Sequence, residues 1–333
     1  MSTLAIPVID ISRFSAGAAD ARRAVVDEVA GACRDLGFLV ISGTRVPPAT
    51  IADAVSACRQ FFALEAPVKL TARRPQPSHI RGYVGVGAES LSQLEHEAAL
   101  PDLKELFDVG PPQVPADDPY YSEARAGASF APNVWPAGAP LLRPAMTGYF
   151  HAMEALTLEL SHLFAAALAL PESYFNDKID RHISILRANY YPRQETAPLA
   201  RQLRAGGHTD YTAFTVLWQE RVVGGGLQVR NHDGMWIDVP AAADTFVVNI
   251  GDSLARWTND LWVSTMHRVA NPPAEIAAGS DRLSLVYFFQ PNYDAMIECI
   301  PTCRGPGRPA KYAPVANGDY LATKFAEQQI SAG

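Results

Sequence analysis

The sequence predicts a mainly β chain with helices packed outside it. Three observations predict this. Strand signals dominate residues 183–290. Three stretches, 19–35, 48–64 and about 141–169, carry apolar residues at helical spacing. The stretch between the second and third, 71–140, reads as loop and holds many of the chain's 26 prolines.

From the N-terminus, residues 6–12 and 37–42 read as short strands around the first helix, 19–35 (ADARRAVVDEVAGACRD). The second helix places Ile51, Val55, Cys58, Phe61 and Phe62 on one buried stripe. Within 71–140, Arg81-Gly82-Tyr83 to Gly87 reads as a loop. The long third helix contains MTGYFHAMEALTLELSHLFAAALAL, and its apolar face is suited to pack on a sheet. His151 and His162 fall on it and read as structural. Tyr211 to Gln219 (YTAFTVLWQ) is rich in β-branched and aromatic residues and reads as strand. Gly224-Gly225-Gly226 breaks the chain. Leu227-Gln228-Val229 and Trp236-Ile237-Asp238-Val239 then flank Asn231-His232-Asp233-Gly234, a hairpin turn. Thr245 to Ile250 is a further strand. Residues 305–333 combine a Gly/Pro-rich connector with an amphipathic segment near Tyr320 to Phe325 that could cap a pocket.

Composition narrows the function. With 333 residues, 48% of them hydrophobic, the chain can bury a large core. Its net charge of −7 argues against a nucleic-acid or membrane-surface role. No apolar run approaches the ~20 residues of a membrane span. Met1 to Ile11 lacks a basic region followed by an apolar stretch, so no secretory signal is expected. Cys33, Cys58, Cys299 and Cys303 form no metal-type pattern and suit a reducing cytoplasm. The chain is expected to act as a monomer on a small molecule.

Three separated fragments carry the chemistry: His208-Thr209-Asp210, then His267, then Arg282-Leu283-Ser284. Two histidines and one carboxylate are the ligand set of mononuclear non-heme Fe(II) oxygenases, which leaves coordination positions open. If His208 and Asp210 share a strand, both point to one face and can aim at one metal, with Thr209 turned away. Alternation places Arg282, Ser284, Val286 and Phe288 on one face. That face offers a guanidinium fork and a hydroxyl, which suit a carboxylate. An arginine in an apolar interior is costly unless an anion satisfies it.

With these fragments in order, the chain resembles the iron(II)/2-oxoglutarate-dependent dioxygenases of the isopenicillin N synthase-like family. Further matching stretches are Ile6-Pro7-Val8-Ile9-Asp10-Ile11, the run Asp35 to Gly43, Pro101-Asp102-Leu103-Lys104-Glu105, Phe107-Asp108-Val109-Gly110, Asn189-Tyr190-Tyr191-Pro192, Asn249-Ile250-Gly251-Asp252, Trp257-Thr258-Asn259 and Ser264 to Val269. The resemblance covers nearly the whole chain. It implies a single oxygenase domain over 1–333 with a double-stranded β-helix (jelly-roll) core at 183–290. Residues 1–140 would form a helical and loop region covering the barrel.

The resemblance also implies roles. His208, Asp210 and His267 would ligate Fe(II). Arg282 and Ser284 would bind the distal carboxylate of 2-oxoglutarate, with Asn189 and Tyr191 also touching that cosubstrate. Phe288 would line the substrate pocket, Tyr83 would lie across the barrel mouth, and Arg187 could face the pocket and favour an acidic substrate. With O2, such a site hydroxylates a small organic molecule, or desaturates or cyclises it, releasing succinate and CO2. Asp210 argues against halogenation, for which relatives have a small residue at that position. The same ligands also bind Ni(II), Co(II) or Zn(II). Two alternatives remain: a same-fold oxidase that does not use 2-oxoglutarate, of the isopenicillin N synthase-like or ethylene-forming type, and a cupin-like binding protein without turnover. Gln328 and Gln329 faintly resemble a glutamine of the peptide-oxidising member, but read better as a solvated tail.

Overall fold

The computed structural model describes residues 6–91, 100–221 and 226–331, with side chains described as far as residue 327. The strands are β1 (Val8–Asp10), β2 (Phe38–Ser42), β3 (Gly82–Val84), β4 (Glu105–Val109), β5 (Ile185–Tyr191), β6 (Ala205–His208), β7 (Phe214–Gln219), β8 (Leu227–Arg230), β9 (Trp236–Asp238), β10 (Phe246–Ile250), β11 (His267–Val269), β12 (Arg282–Phe289), β13 (Met296–Ile297) and β14 (Val315–Ala316). The helices are α1 (Ser12–Ala16), α2 (Ala19–Asp35), α3 (Pro48–Phe62), α4 (Ala66–Leu70), α5 (Leu142–Ala167), α6 (Asn176–Ile179), α7 (Asp252–Trp257) and α8 (Asn317–Ser331).

Eight strands form one large sheet in the order β1-β2-β10-β7-β12-β5-β4-β3, and four form a smaller sheet, β6-β11-β8-β9. The large sheet is antiparallel except where β1 lies parallel to β2. Strand alternation gives it two different faces. On β12, Leu283, Leu285, Tyr287 and Phe289 join the core under the helices, while Val286 and Phe288 belong to the cluster between the sheets. On β10, Phe246, Val248 and Ile250 face the helices and Val247 faces inward. β2 does the same, with Leu39 and Ile41 outward and Phe38 and Val40 inward. The small sheet closes over the inner face with Ala205, Leu227, Val229 and Val269. The result is the jelly-roll arrangement, with a cavity between the two sheets.

The helical layer follows from periodicity. α5 buries Met146, Tyr149, Phe150, Met153, Leu156, Leu160, Leu163 and Phe164, a stripe at three- and four-residue spacing. Phe150 meets Tyr287 with ring centroids 5.1 Å apart, and Phe164 meets Phe214 at 5.0 Å. Each such fully buried aromatic contributes roughly 1.5–3 kcal/mol of apolar burial. α2 matches its expected range, α3 ends two residues before the expected 64, and α5 spans most of 141–169. The hairpin at Asn231–Gly234 forms, with Arg230 opposite Trp236 and Gly234 at φ +77°.

Three expectations are corrected. Residues 1–140 do more than cover the barrel: the expected short strands β1 and β2 extend one edge of the large sheet, and the unexpected β3 and β4 extend the other. Within the segment from Arg81 to Gly87, Gly82–Val84 is a strand at the sheet edge rather than a loop. The strand expected over Tyr211–Gln219 begins only at Phe214. No helix among the described residues is long and apolar enough to cross a membrane. Gly224 and Gly225 lie outside the described residues.

Candidate active site

His208, Asp210 and His267 converge at one end of the cavity, with their ligand atoms within 4.8 Å of one another. They are the one such His/Cys/Asp/Glu group of three or more found among the described residues. The geometry differs from the shared strand expected. His208 ends β6, on the small sheet, and is the cross-strand partner of His267 on β11. Asp210 lies beyond the strand, where the chain crosses to the large sheet. That crossing is fixed by backbone bonds to the start of α7. Asp252 N–H donates to Asp210 O (2.7 Å), and Gly251 N–H donates to Ala213 O (2.9 Å). A Cβ on Gly251 would lie 2.2 Å from Thr212 O, so the close approach requires glycine.

Hydrogen bonds orient each ligand. The Nδ1 of His208 lies 2.8 Å from Gly206 O, and that of His267 lies 3.1 Å from Thr265 O. A carbonyl only accepts, so Nδ1 carries the proton and Nε2 presents its lone pair. The two Nε2 atoms stand 3.8 and 3.7 Å from Asp210 Oδ1. Oδ2 is occupied on its other side by donors from Thr215 Oγ1 (2.7 Å) and Asn249 Nδ2 (2.8 Å). Burial, and then the neighbouring His267, hold the His208 imidazole well below its ordinary value, so it is neutral and free to ligate. Burial alone would raise the Asp210 carboxyl; the two histidines and the Asn249 and Thr215 donors outweigh it and keep it ionised. Two neutral imidazoles and one carboxylate sharing an inward-facing point fit a divalent metal with open positions.

The cavity, about 550 Å³ with the open solvent at its mouth included, runs from this point along β5, β7 and β12. Arg282 and Ser284 line it, with Asn189 opposite Ser284 and Tyr191 opposite Arg282 on β5. The Arg282 guanidinium is fully buried and lies 5.1 Å from the Tyr191 ring centroid. Its Nη2 donates to Gln219 Oε1 (2.8 Å), while Nε and Nη1 have no hydrogen-bond partner. Asn189 Oδ1 is likewise buried without a partner. Unsatisfied donors on a buried cation are expensive, and they are the features that a bound carboxylate would satisfy.

Phe288 and Arg187 also line the cavity. Arg187 is not free to favour an acid, as it donates to Asp108 Oδ1 (2.7 Å) and Oδ2 (3.0 Å) and to Glu89 Oε2 (3.2 Å). Tyr83 is outside the lining. It pairs with Phe107 on β4, and that register turns its side chain to the helix face, where its hydroxyl donates to Glu105 (2.5 Å). Residues not anticipated at the site are Lys104, Thr215, Gln219 and Asn249. The last three are polar residues in otherwise apolar strands, a signal open to strand alternation.

Two family models match the chain. The non-haem dioxygenase in morphine synthesis N-terminal model matches residues 6–138, and the 2OG-Fe(II) oxygenase superfamily model matches residues 182–291. A curated relative, the 2-oxoglutarate-Fe(II) type oxidoreductase hxnY of Emericella nidulans, is 33% identical, covering 96% of this chain and 89% of its own. Proline hydroxylase buaE of Petromyces alliaceus is 32% identical, covering 91% and 93%. The crystal structure of a full-length Neurospora crassa protein in complex with alpha-KG and thymine superimposes with a TM-score of 0.84 at 31% identity, covering 97% of each chain.

Proposed function

Since the chain belongs to the 2-oxoglutarate/Fe(II)-dependent oxygenase superfamily, and is an Fe(II)- and 2-oxoglutarate-dependent oxygenase by that membership, we propose that His208, Asp210 and His267 are its iron ligands and that it hydroxylates a small organic molecule. Arg282 and Ser284 would hold the distal carboxylate of 2-oxoglutarate, with Asn189 and Tyr191 beside them. The observation that carries this assignment is the buried Arg282 guanidinium with two unsatisfied nitrogens, at the far end of a cavity that begins at the His-Asp-His cluster.

When bound, iron with 2-oxoglutarate and O2 supplies an oxidant strong enough to break a substrate C–H bond, with succinate and CO2 as co-products. The chain's own residues do the rest. Gly206 O and Thr265 O keep both imidazoles in the Nδ1–H tautomer. Thr215 and Asn249 turn Oδ1 of Asp210 inward. Arg282, braced by Gln219, fixes the length at which a dicarboxylate can span to the metal. Val269, Leu217, Val286 and Leu227 keep the intervening wall apolar and exclude water. The thymine bound by the Neurospora protein and the names of the other relatives support a small polar substrate. The four free thiols support a cytoplasmic setting.

The test is succinate formation from 2-oxoglutarate by anaerobically Fe(II)-loaded protein exposed to O2, with Arg282→Ala as the control. Slow substrate-free turnover that disappears in the variant is the expected result. Iron binding without succinate, in the presence of varied candidate substrates, would move the assignment to the oxidase that does not use 2-oxoglutarate.

A further inference from the structure

We propose that the primary substrate presents an uncharged, hydrogen-bonding group, not a carboxylate, to the end of the cavity formed by Lys104, Arg187 and Phe288; this takes the oxygenase reading above as given. The two ends of the cavity differ in how their cations are satisfied. Arg282 keeps two nitrogens without a partner. At the opposite end every cation is already held by carboxylates.

Arg187 forks onto Asp108 at 2.7 and 3.0 Å and reaches Glu89 at 3.2 Å. Lys104, only 3% exposed, lies 3.2 Å from Asp102 and 3.8 Å from Glu89. Behind them Arg74 meets Asp108 at 2.7 Å and Glu89 at 3.4 Å. Three cations (Arg74, Lys104, Arg187) thus face three carboxylates (Glu89, Asp102, Asp108), and the formal charge of the cluster is zero. The stretches outside the described residues contain no lysine or arginine that could add a cation. Against burial, which would raise it, the cations hold the Glu89 carboxyl at about 2, so that side of the cluster stays ionised.

An acidic substrate entering this end would lose its hydration and find no cation in want of an anion. It would have to displace Asp108 or Glu89 from a cation, or add an uncompensated buried negative charge to a cluster already balanced. A neutral amide, lactam or alcohol has a far smaller desolvation cost. It can accept from Lys104, whose ammonium has three donors, and lay its apolar part on Phe288, over which Arg187 already sits 5.6 Å from the ring centroid. The substrate class is therefore a neutral polar molecule with an apolar or aromatic face.

The probes are benzamide and benzoate, a matched neutral and anionic pair. Each is titrated calorimetrically into wild type, Glu89→Gln and Asp108→Asn protein loaded with Ni(II) and saturated with 2-oxoglutarate, which occupies the Arg282 end. Wild type should bind benzoate on the order of tenfold more weakly than benzamide, or not detectably. Either substitution leaves the cluster with one net positive charge and should raise benzoate affinity on the order of tenfold while leaving benzamide within about twofold. Benzoate binding wild type as tightly as benzamide would overturn the proposal. So would a folded variant that gains nothing for benzoate. Substrate-free succinate formation by the Fe(II) form of the same preparation tests the oxygenase reading separately. Its absence alongside the expected binding pattern would strike only that reading.

Discussion

The Thr215 hydroxyl donates to Oδ2 of Asp210 at 2.7 Å, across five residues of chain and from the start of β7. Asn249 donates to the same oxygen from the adjacent strand β10. Between them they choose which carboxylate oxygen faces the histidines. Groups that orient a metal ligand in this way typically contribute roughly 10- to 100-fold to affinity. Thr215→Val and Asn249→Ala should each weaken Fe(II) binding by about that factor while leaving the fold intact. Calorimetric titration of the apoprotein with Co(II) or Fe(II) measures it, and affinity unchanged in both variants would show that Asp210 is held by the chain crossing alone. Stripping the metal with a chelator should abolish turnover in all forms and restore it on re-addition.

Arg282 tests the cosubstrate end. A hydrogen bond to a charged group contributes about 1.5–3 kcal/mol, and its guanidinium has two nitrogens available. Arg282→Ala should therefore raise the KM for 2-oxoglutarate by roughly 100- to 10,000-fold. Arg282→Lys keeps a charge but loses the fork, and should fall between the two. Steady-state kinetics against 2-oxoglutarate decides this, and a KM unaffected by either change would remove Arg282 from the site.

How much of this was legible in the sequence depended on how local the signal was. Helical stripes such as Met146–Phe164 are local and placed α5 within a few residues at each end. The ligand types were legible too, but the shared-strand argument for His208 and Asp210 fails. Two-residue spacing implies a common face only while the strand continues, and β6 ends at His208 because the chain there bonds to the start of α7. β3 and β4 were missed because they are three and five residues long within a proline-rich stretch. The cluster around Arg187 was beyond reach. Its partners lie 79 and 98 residues away in sequence; Asp108 meets it only through the β4–β5 register, and Glu89 reaches it from the chain after β3.

That register makes Arg187 a stability determinant as well as a cavity wall. Asp108 is fully buried, and removing a partner from a buried pair costs about 3–5 kcal/mol. Arg187→Ala should lose less than that in denaturant unfolding, because Arg74 still holds Asp108 at 2.7 Å. Adding Asp108→Asn to Arg187→Ala should recover part of it, because a buried carboxylate that has lost one of its two cations is gone. A double variant no more stable than Arg187→Ala would mean that lost packing on Phe288, not charge, sets the cost.

The same cluster gives the protein an acid limit with a definite sign. Burial would raise the Glu89 carboxyl, but Arg187, Lys104 and Arg74 more than reverse it and bring it to about 2 from an ordinary 4.5. A folded-state value below the unfolded one contributes stability that is fully present above the unfolded value and is lost as pH falls through the folded one. The contribution should therefore be complete near neutrality, decline below about pH 5 and be gone near pH 2. The difference between 4.5 and about 2, at about 1.4 kcal/mol per unit, sets an upper bound of roughly 3.5 kcal/mol. Unfolding free energies across that window for wild type and Glu89→Gln measure it. The variant should be less stable than wild type at neutral pH, and the gap should close as the pH falls toward 2. Parallel curves would show that Glu89 titrates alike in the folded and unfolded chain, and so that the three cations do not hold its charge.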